Sequence, residues 1–178
     1  MTSPRFEYDK LIYKGRVIEV HSVGVRMSDG RVLPRDYVHY SDAVVVLPVL
    51  DDGRIVLIRN QRFAVDEELL ELPAGMVDAG EPPEAAAARE LAEETGYTGG
   101  RIDLLGAFFT GPGSMDERMH AYLATGLRAG EQHLEAYEEI RVETLAPEEV
   151  RRMVSDCTIH DAKTIAALGL YWLRQREV

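Results

Sequence analysis

Apolar and polar positions alternate in short runs from Lys10 to Tyr40, with Val17-Ile18-Glu19-Val20 and Val23-Gly24-Val25-Arg26 before Ser28-Asp29-Gly30, and again from Arg31. Alternation of period two puts successive side chains on opposite faces, so the stretch predicts an antiparallel β-meander with a turn at Ser28-Asp29-Gly30. Ser41-Asp42 breaks the pattern. Ala43-Val44-Val45-Val46-Leu47-Pro48-Val49-Leu50 is then nearly continuous in apolar character, which predicts a strand covered on both faces. Asp51-Asp52-Gly53 predicts a hairpin turn, Arg54 to Arg62 its returning strand, and Leu69 to Leu72 a short strand that stops at Pro73.

The pattern turns helical after Glu81. Prolines 82 and 83 are tolerated where helical N–H groups lack partners, four alanines and Leu91 favour helix, and Gly96 suits a C-terminal cap, so a helix is predicted over about Pro83 to Thr95. Leu91, Ala88 and Thr95 are expected to point toward the core. Strands are predicted at Arg101 to Phe109, Met119 to Thr125 and Ile140 to Leu145, with an acidic loop over Glu131 to Glu139. Pro147 opens a further helix. A last one, about Asp161 to Arg174, shows an apolar face of Ile165, Leu168 and Trp172, widened by Tyr171 and Leu173. Strands lying before and after helices, without strict alternation, predict an α+β sandwich.

Composition narrows the class. With 178 residues and 46% hydrophobic content, one core domain is expected. A net charge of −11 argues against a nucleic-acid partner, which needs basic surface, and fits a user of cations. Cys157 is the only cysteine, which excludes an intrachain disulfide and a cysteine-based zinc site. The five histidines show no ligand spacing. No apolar run reaches the length of a membrane span, and the first residues lack the apolar stretch of a signal peptide, so neither a membrane partner nor export is expected and a cytoplasmic location is.

The chemistry concentrates in the predicted helix. Glu90, Glu93 and Glu94 stand three and four residues apart, on one face, where like charges repel and invite a counter-charge. Hard carboxylate oxygens of this kind suit Mg²⁺ or Mn²⁺, which keep several waters and bind through a few carboxylates together with substrate phosphates.

Gly75, Glu81 and Arg89-Glu90-Leu91-Ala92-Glu93-Glu94-Thr95-Gly96-Tyr97 together resemble the Nudix box at every defining position. The resemblance implies an α/β/α sandwich with a mixed sheet over residues 41–178, preceded by the antiparallel meander at residues 1–40. It also implies a pyrophosphohydrolase with two or more divalent cations, Mg²⁺ or Mn²⁺. Glu90 and Glu94 are then metal ligands, Glu93 a ligand or a water-orienting base, and the carbonyl of Ala74 a further ligand. Glu81 and Arg89 are expected to brace the loop against the helix.

Outside the box the chain is similar to the ADP-ribose pyrophosphatases. Arg59-Asn60-Gln61-Arg62 and Glu71-Leu72-Pro73-Ala74-Gly75 resemble their strand end and box approach, Pro112 stands where that subfamily carries a proline, and Asp161 to Leu168 resembles their last helix. Arg59, Arg62, Glu71, Pro112 and Gly113 are accordingly expected to bind a nucleoside diphosphate sugar. Where the subfamily often has a Glu-x-Glu pair, this chain has Ala136 and Glu138, so the base is open among Glu135, Glu138 and Glu139, with Glu138 also a candidate metal ligand. The expected activity is hydrolysis of ADP-ribose or a related ADP-sugar to AMP and a sugar phosphate. Another nucleotide sugar such as GDP-mannose, a dinucleotide, or a sensing module without turnover are the alternatives. The resemblance further implies a homodimer built on the meander.

Overall fold

Three strands make the meander: β1 (Phe6–Lys14), β2 (Glu19–Arg26) and β3 (Val32–His39), in the order β1-β2-β3 and antiparallel throughout. The computed structural model describes residues 5–134 and 138–175. Those residues fall into two units, one formed by the chain up to Asp42 with Phe109–Arg118, the other by Ala43–Phe108 and the chain from Met119 onward. Within the first unit, the turn after Gly111 is fixed to β3 by a bridge between Val38 and Met115, and Asp116 accepts from His39 Nδ1 at 2.6 Å and from the Tyr40 N–H at 2.9 Å. The meander begins at Phe6, earlier than the alternation indicated, because Phe6 pairs with Val25 across a bulge.

The second unit is built around β4 (Ala43–Pro48), every residue of which is buried. Alternation along the strand divides its side chains. Val44 and Val46 pack against Ala86, Ala87 and Leu91 of α1 (Pro83–Thr95), while Val45 and Leu47 pack with Ala167 and Leu168 of α3 (Ala162–Gln175) and Val150 of α2 (Pro147–Ser155). This is the expected α/β/α arrangement. β4 lies in a mixed four-stranded sheet, order β7-β4-β9-β8, antiparallel to β7 (Ala74–Met76) and parallel to β9 (Arg118–Thr125), with β8 (Arg101–Phe109) at the edge. A separate antiparallel sheet holds β10 (Ile140–Leu145), β5 (Ile55–Arg62) and β6 (Glu67–Glu71), with β5 central.

Several expectations are corrected. The turn at Gly53 forms, but β5 does not return along β4: one bridge, Val49 to Ile55, joins them before they part into different sheets. Pro48 has no N–H to donate to a ladder, and β4 is flanked on both sides already. The glycine-containing β7 is too short to give a pattern. In α1, Ala88 is exposed, because Ala87, Leu91 and Glu94 form the inward stripe. In α3, Ile165 is exposed and Thr164 is buried, since the stripe facing the core runs through Thr164, Ala167 and Leu168. The buried Thr164 hydroxyl is satisfied: it donates to Asp161 Oδ2 at 2.6 Å and accepts the Leu72 N–H at 2.9 Å. No helix among the described residues is long and apolar enough to cross a membrane.

Candidate active site

Helix α1 starts at Pro83, whose missing N–H costs nothing in the first turn, and stops where Gly96 takes φ 74° and returns its N–H to the Ala92 carbonyl. Over the length between, its three glutamates meet graded environments. Glu94 belongs to the buried stripe and is 3% exposed, the Glu90 side chain is 12% exposed and the Glu93 side chain 41%. Burial pushes the Glu94 carboxyl up to about 8, against the N–H of Ala74, which donates to its Oε2 at 2.8 Å. Glu90 is also raised, again chiefly by burial and against the pull of Arg89.

Arg89 ties the box together. Its Nε and Nη2 grip the two oxygens of Glu81 at 3.1 and 3.0 Å, and Nη2 also reaches the Met76 carbonyl at 3.0 Å. Nη1 meets Glu90 at 2.7 Å and Glu93 at 3.1 Å. Glu81 in turn accepts the Asp78 N–H at 3.2 Å, closing the loop that precedes the helix. A permanently charged, planar fork is the group that can serve three carboxylates and a carbonyl at once.

These side chains wall a cavity of about 390 Å³. Glu90, Glu93, Glu94 and Arg89 form its helix side, and Ala74, Gly75, Met76 and Asp78 its loop side. Arg62 with Asn60 and Gln61 comes from the end of β5, and Glu138 from the late loop. Arg62 donates through Nε and Nη2 to Glu71 at 2.9 and 2.6 Å. Glu71 itself is 0% exposed, behind the wall, and also takes Lys163. Arg59 is bound to Glu143 at 2.6 Å on the β5–β10 ladder and, like Glu139, is not among the described residues lining the cavity. Pro112 and Gly113 lie in the first unit, in the turn closed by Ser114 and Met115 N–H groups on the Gly111 carbonyl. Glu135 lies outside the described residues.

Four participants carried no periodic signal. Asn60 and Gln61 stand inside the Arg59-to-Arg62 segment and supply amides to the cavity. Gln132 donates to the Glu94 carbonyl at 2.6 Å and His133 N–H to the Glu93 carbonyl at 3.0 Å, so the late loop is pinned to the C-terminal end of α1. Those carbonyls would otherwise be orphans in a last turn that has no basic residue.

The donor set fits a hard divalent cation. Every side-chain donor on the helix side is a carboxylate, two of them desolvated and shifted toward the protonated form, a state that a bound cation reverses. Gly75 leaves the room: a Cβ there would stand 2.1 Å from the Glu90 carboxylate. Among the described residues no three acidic or histidine side chains converge into a ready ion cage, so the fit rests on donor chemistry.

The NUDIX domain profile matches residues 39–168. The chain is 36% identical over 166 residues to the ADP-ribose pyrophosphatase of Bacillus subtilis (strain 168), covering 92% of this chain and 90% of that protein. It is 32% identical over 166 residues to the methanol dehydrogenase activator of Bacillus methanolicus, with 92% and 90% covered. A solved crystal structure of an ADP compounds hydrolase shares the fold, with a TM-score of 0.82 over 99% of this chain and 97% of that chain at 24% identity. With its intact glutamate ridge, its Arg89 brace and a domain match across most of its length, the chain belongs to the Nudix family.

Proposed function

We propose that the chain hydrolyses the diphosphate of ADP-ribose or a related ADP-sugar, giving AMP and a sugar phosphate. The observation that carries this reading is one cavity walled by Glu90, Glu93 and Glu94 on one side and the cationic Arg62 on another. The name of the Bacillus subtilis relative supports the choice of substrate. Divalent cations, Mg²⁺ or Mn²⁺ and two or more per site, would be held by Glu90, Glu94 and Glu93 with the Ala74 carbonyl and Glu138. Bound there, they would neutralise charge on the diphosphate and make water a better nucleophile at neutral pH.

The chain's own groups do the rest. Arg62 binds a phosphate through the guanidinium edge that faces the cavity. Glu93 or Glu138 accepts a proton from the attacking water, whose oxygen bonds to phosphorus as the bridging P–O bond breaks. The bridging oxygen leaves with the other phosphate. Arg89, anchored to Glu81, keeps the ridge aligned.

Release of the nucleoside monophosphate, AMP from the adenine substrates and GMP from GDP-mannose, measured with Mg²⁺ and with Mn²⁺ over a panel of ADP-ribose, an ADP-hexose, GDP-mannose and an adenine dinucleotide tests the proposal. ADP-ribose or the ADP-hexose is expected to give the highest kcat/KM. A preference for GDP-mannose or the dinucleotide overturns the substrate, and binding without turnover under either metal overturns the reaction.

The meander is proposed to form a homodimer interface. On β1, Tyr8, Leu11, Ile12 and Tyr13 are 48–58% exposed, an apolar edge strand that solvent disfavours. Sedimentation at about micromolar concentration is expected to give a dimer, and a monomer alone would refute it.

A further inference from the structure

The pocket arginine ends a line of alternating charges that runs back to the start of α3. Glu71 is fully buried, and each of its oxygens is taken: Oε1 by Arg62 Nε at 2.9 Å, and Oε2 by both Arg62 Nη2 at 2.6 Å and Lys163 Nζ. The Lys163 side chain is 14% exposed and also contacts Asp161 Oδ2 at 3.0 Å. Asp161 closes the line by accepting the Thr164 N–H at 3.0 Å and its hydroxyl at 2.6 Å, at the end of α3 whose free N–H groups favour negative charge. The sequence from helix to cavity is therefore Asp161, Lys163, Glu71, Arg62, negative to positive, with the positive end at the cavity wall.

The arrangement has an electrostatic consequence. A two-pronged Arg62–Glu71 pair taken by itself is neutral, and a neutral pair attracts a diphosphate weakly. A second cation on the same buried carboxylate offsets Glu71, and because its own partner Asp161 acts on Arg62 less strongly than Glu71 does, the line presents its positive end to the cavity. The interaction is strong because Glu71 has no water to screen it.

We infer that Lys163 is a positioning residue for phosphate binding, sharing the Glu71 carboxylate with Arg62 so that the positive end of the line, and a correctly aimed guanidinium, faces the substrate. The inference rests on the proposed diphosphate hydrolysis, and it concerns ground-state binding rather than bond cleavage. Replacing Lys163 puts a surplus negative charge about one side chain behind the pocket arginine, so affinity for the anionic substrate falls while the α1 glutamates keep their own contacts with Arg89 and the Ala74 N–H.

The test is a double-mutant cycle read as KM and kcat for ADP-ribose. Lys163→Gln is expected to raise KM about tenfold with kcat within about twofold, as befits loss of one charge-assisted contact, and Lys163→Arg to restore KM. In a Glu71→Gln background, where the side chain beside Arg62 carries no charge, Lys163→Gln is expected to change KM by less than about twofold. An unchanged KM in Lys163→Gln, or an equal effect in both backgrounds, overturns the inference. If Lys163→Gln does not fold, Lys163→Met in the Glu71→Gln background decides the matter against Glu71→Gln alone, and a large rise in KM there counts against it. Should the wild type hydrolyse no nucleotide sugar, the proposed function falls, and calorimetric binding of ADP to the metal-free protein is read instead. Equal or absent ADP binding in wild type and Lys163→Gln then overturns the inference too.

Discussion

A methyl group on Gly75 would stand 2.1 Å from the carboxylate of Glu90, although the two residues are on different elements. Only the far end of a flexible side chain would be displaced, so the collision costs little stability and much geometry. Gly75→Ala is expected to melt within a few degrees of wild type and to lose about 10- to 100-fold in metal affinity or activity, because a displaced ligand carboxylate behaves like a lost supporting contact. Melting curves and Mg²⁺ titrations of activity check it, and a large fall in melting temperature with normal activity would contradict it.

Glu94 is the deepest of the three glutamates, and its carboxyl is pushed up to about 8 by burial. A raised folded value means that the metal-free protein loses stability as pH climbs from the unfolded value to the folded one, and stays at that lower level above it. Glu94→Gln keeps the shape and an acceptor for the Ala74 N–H. The variant is expected to be as stable as wild type or more so in chelator at alkaline pH, while losing at least about 100-fold in turnover. Thermal melts in chelator and AMP assays are the two measurements.

Thr164 joins α3 to the strand before the box through the Leu72 N–H. Thr164→Val keeps the volume and strands that buried donor, a loss of about 1–3 kcal/mol. Denaturant unfolding measures it, and a neutral result would show that Leu72 finds another acceptor.

The meander carries its own pH response. His21 donates through Nδ1 to Asp9 Oδ1 at 2.6 Å, with Glu19 at 3.5 Å from Nε2, and its pKa is raised mainly by the Asp9 contact. Tyr37 stacks on the ring at 5.0 Å. Because the folded value exceeds the unfolded one, the contribution is full below about pH 6.5 and fades as pH rises through the folded value. The melting temperature of wild type relative to His21→Gln is therefore expected to be higher at about pH 6 than at about pH 8.5. A constant difference would remove His21 from the account.

How far the sequence reached depended on the length over which a pattern could accumulate. The bounds of helix α1 are legible because alanines, Pro83 and Gly96 mark its body and both ends, although Ala88 is exposed against expectation. The two-sided burial of β4 was legible in its unbroken apolar run. Its partners were not, since pairing with β9 spans a gap of more than seventy residues and leaves no local trace. At the site, the glutamates announced themselves by spacing. Lys163 and Gln132 did not, because a single polar residue acquires its role only from the carboxylate or carbonyl that folding brings beside it.

Strand β4 also fixes what length changes the second unit can absorb. Parity along six residues assigns each side chain either to the layer under α1 or to the layer under α3. One residue inserted or deleted within Ala43–Pro48 would swap the two layers downstream of the change and drag β7, with Ala74 and Gly75, out of step with Glu94 and Glu90. A frame of that kind tolerates exchange of one aliphatic residue for another but no change in count, so length variation among viable variants is confined to the turn at Asp51-Asp52-Gly53 and other connections away from this strand.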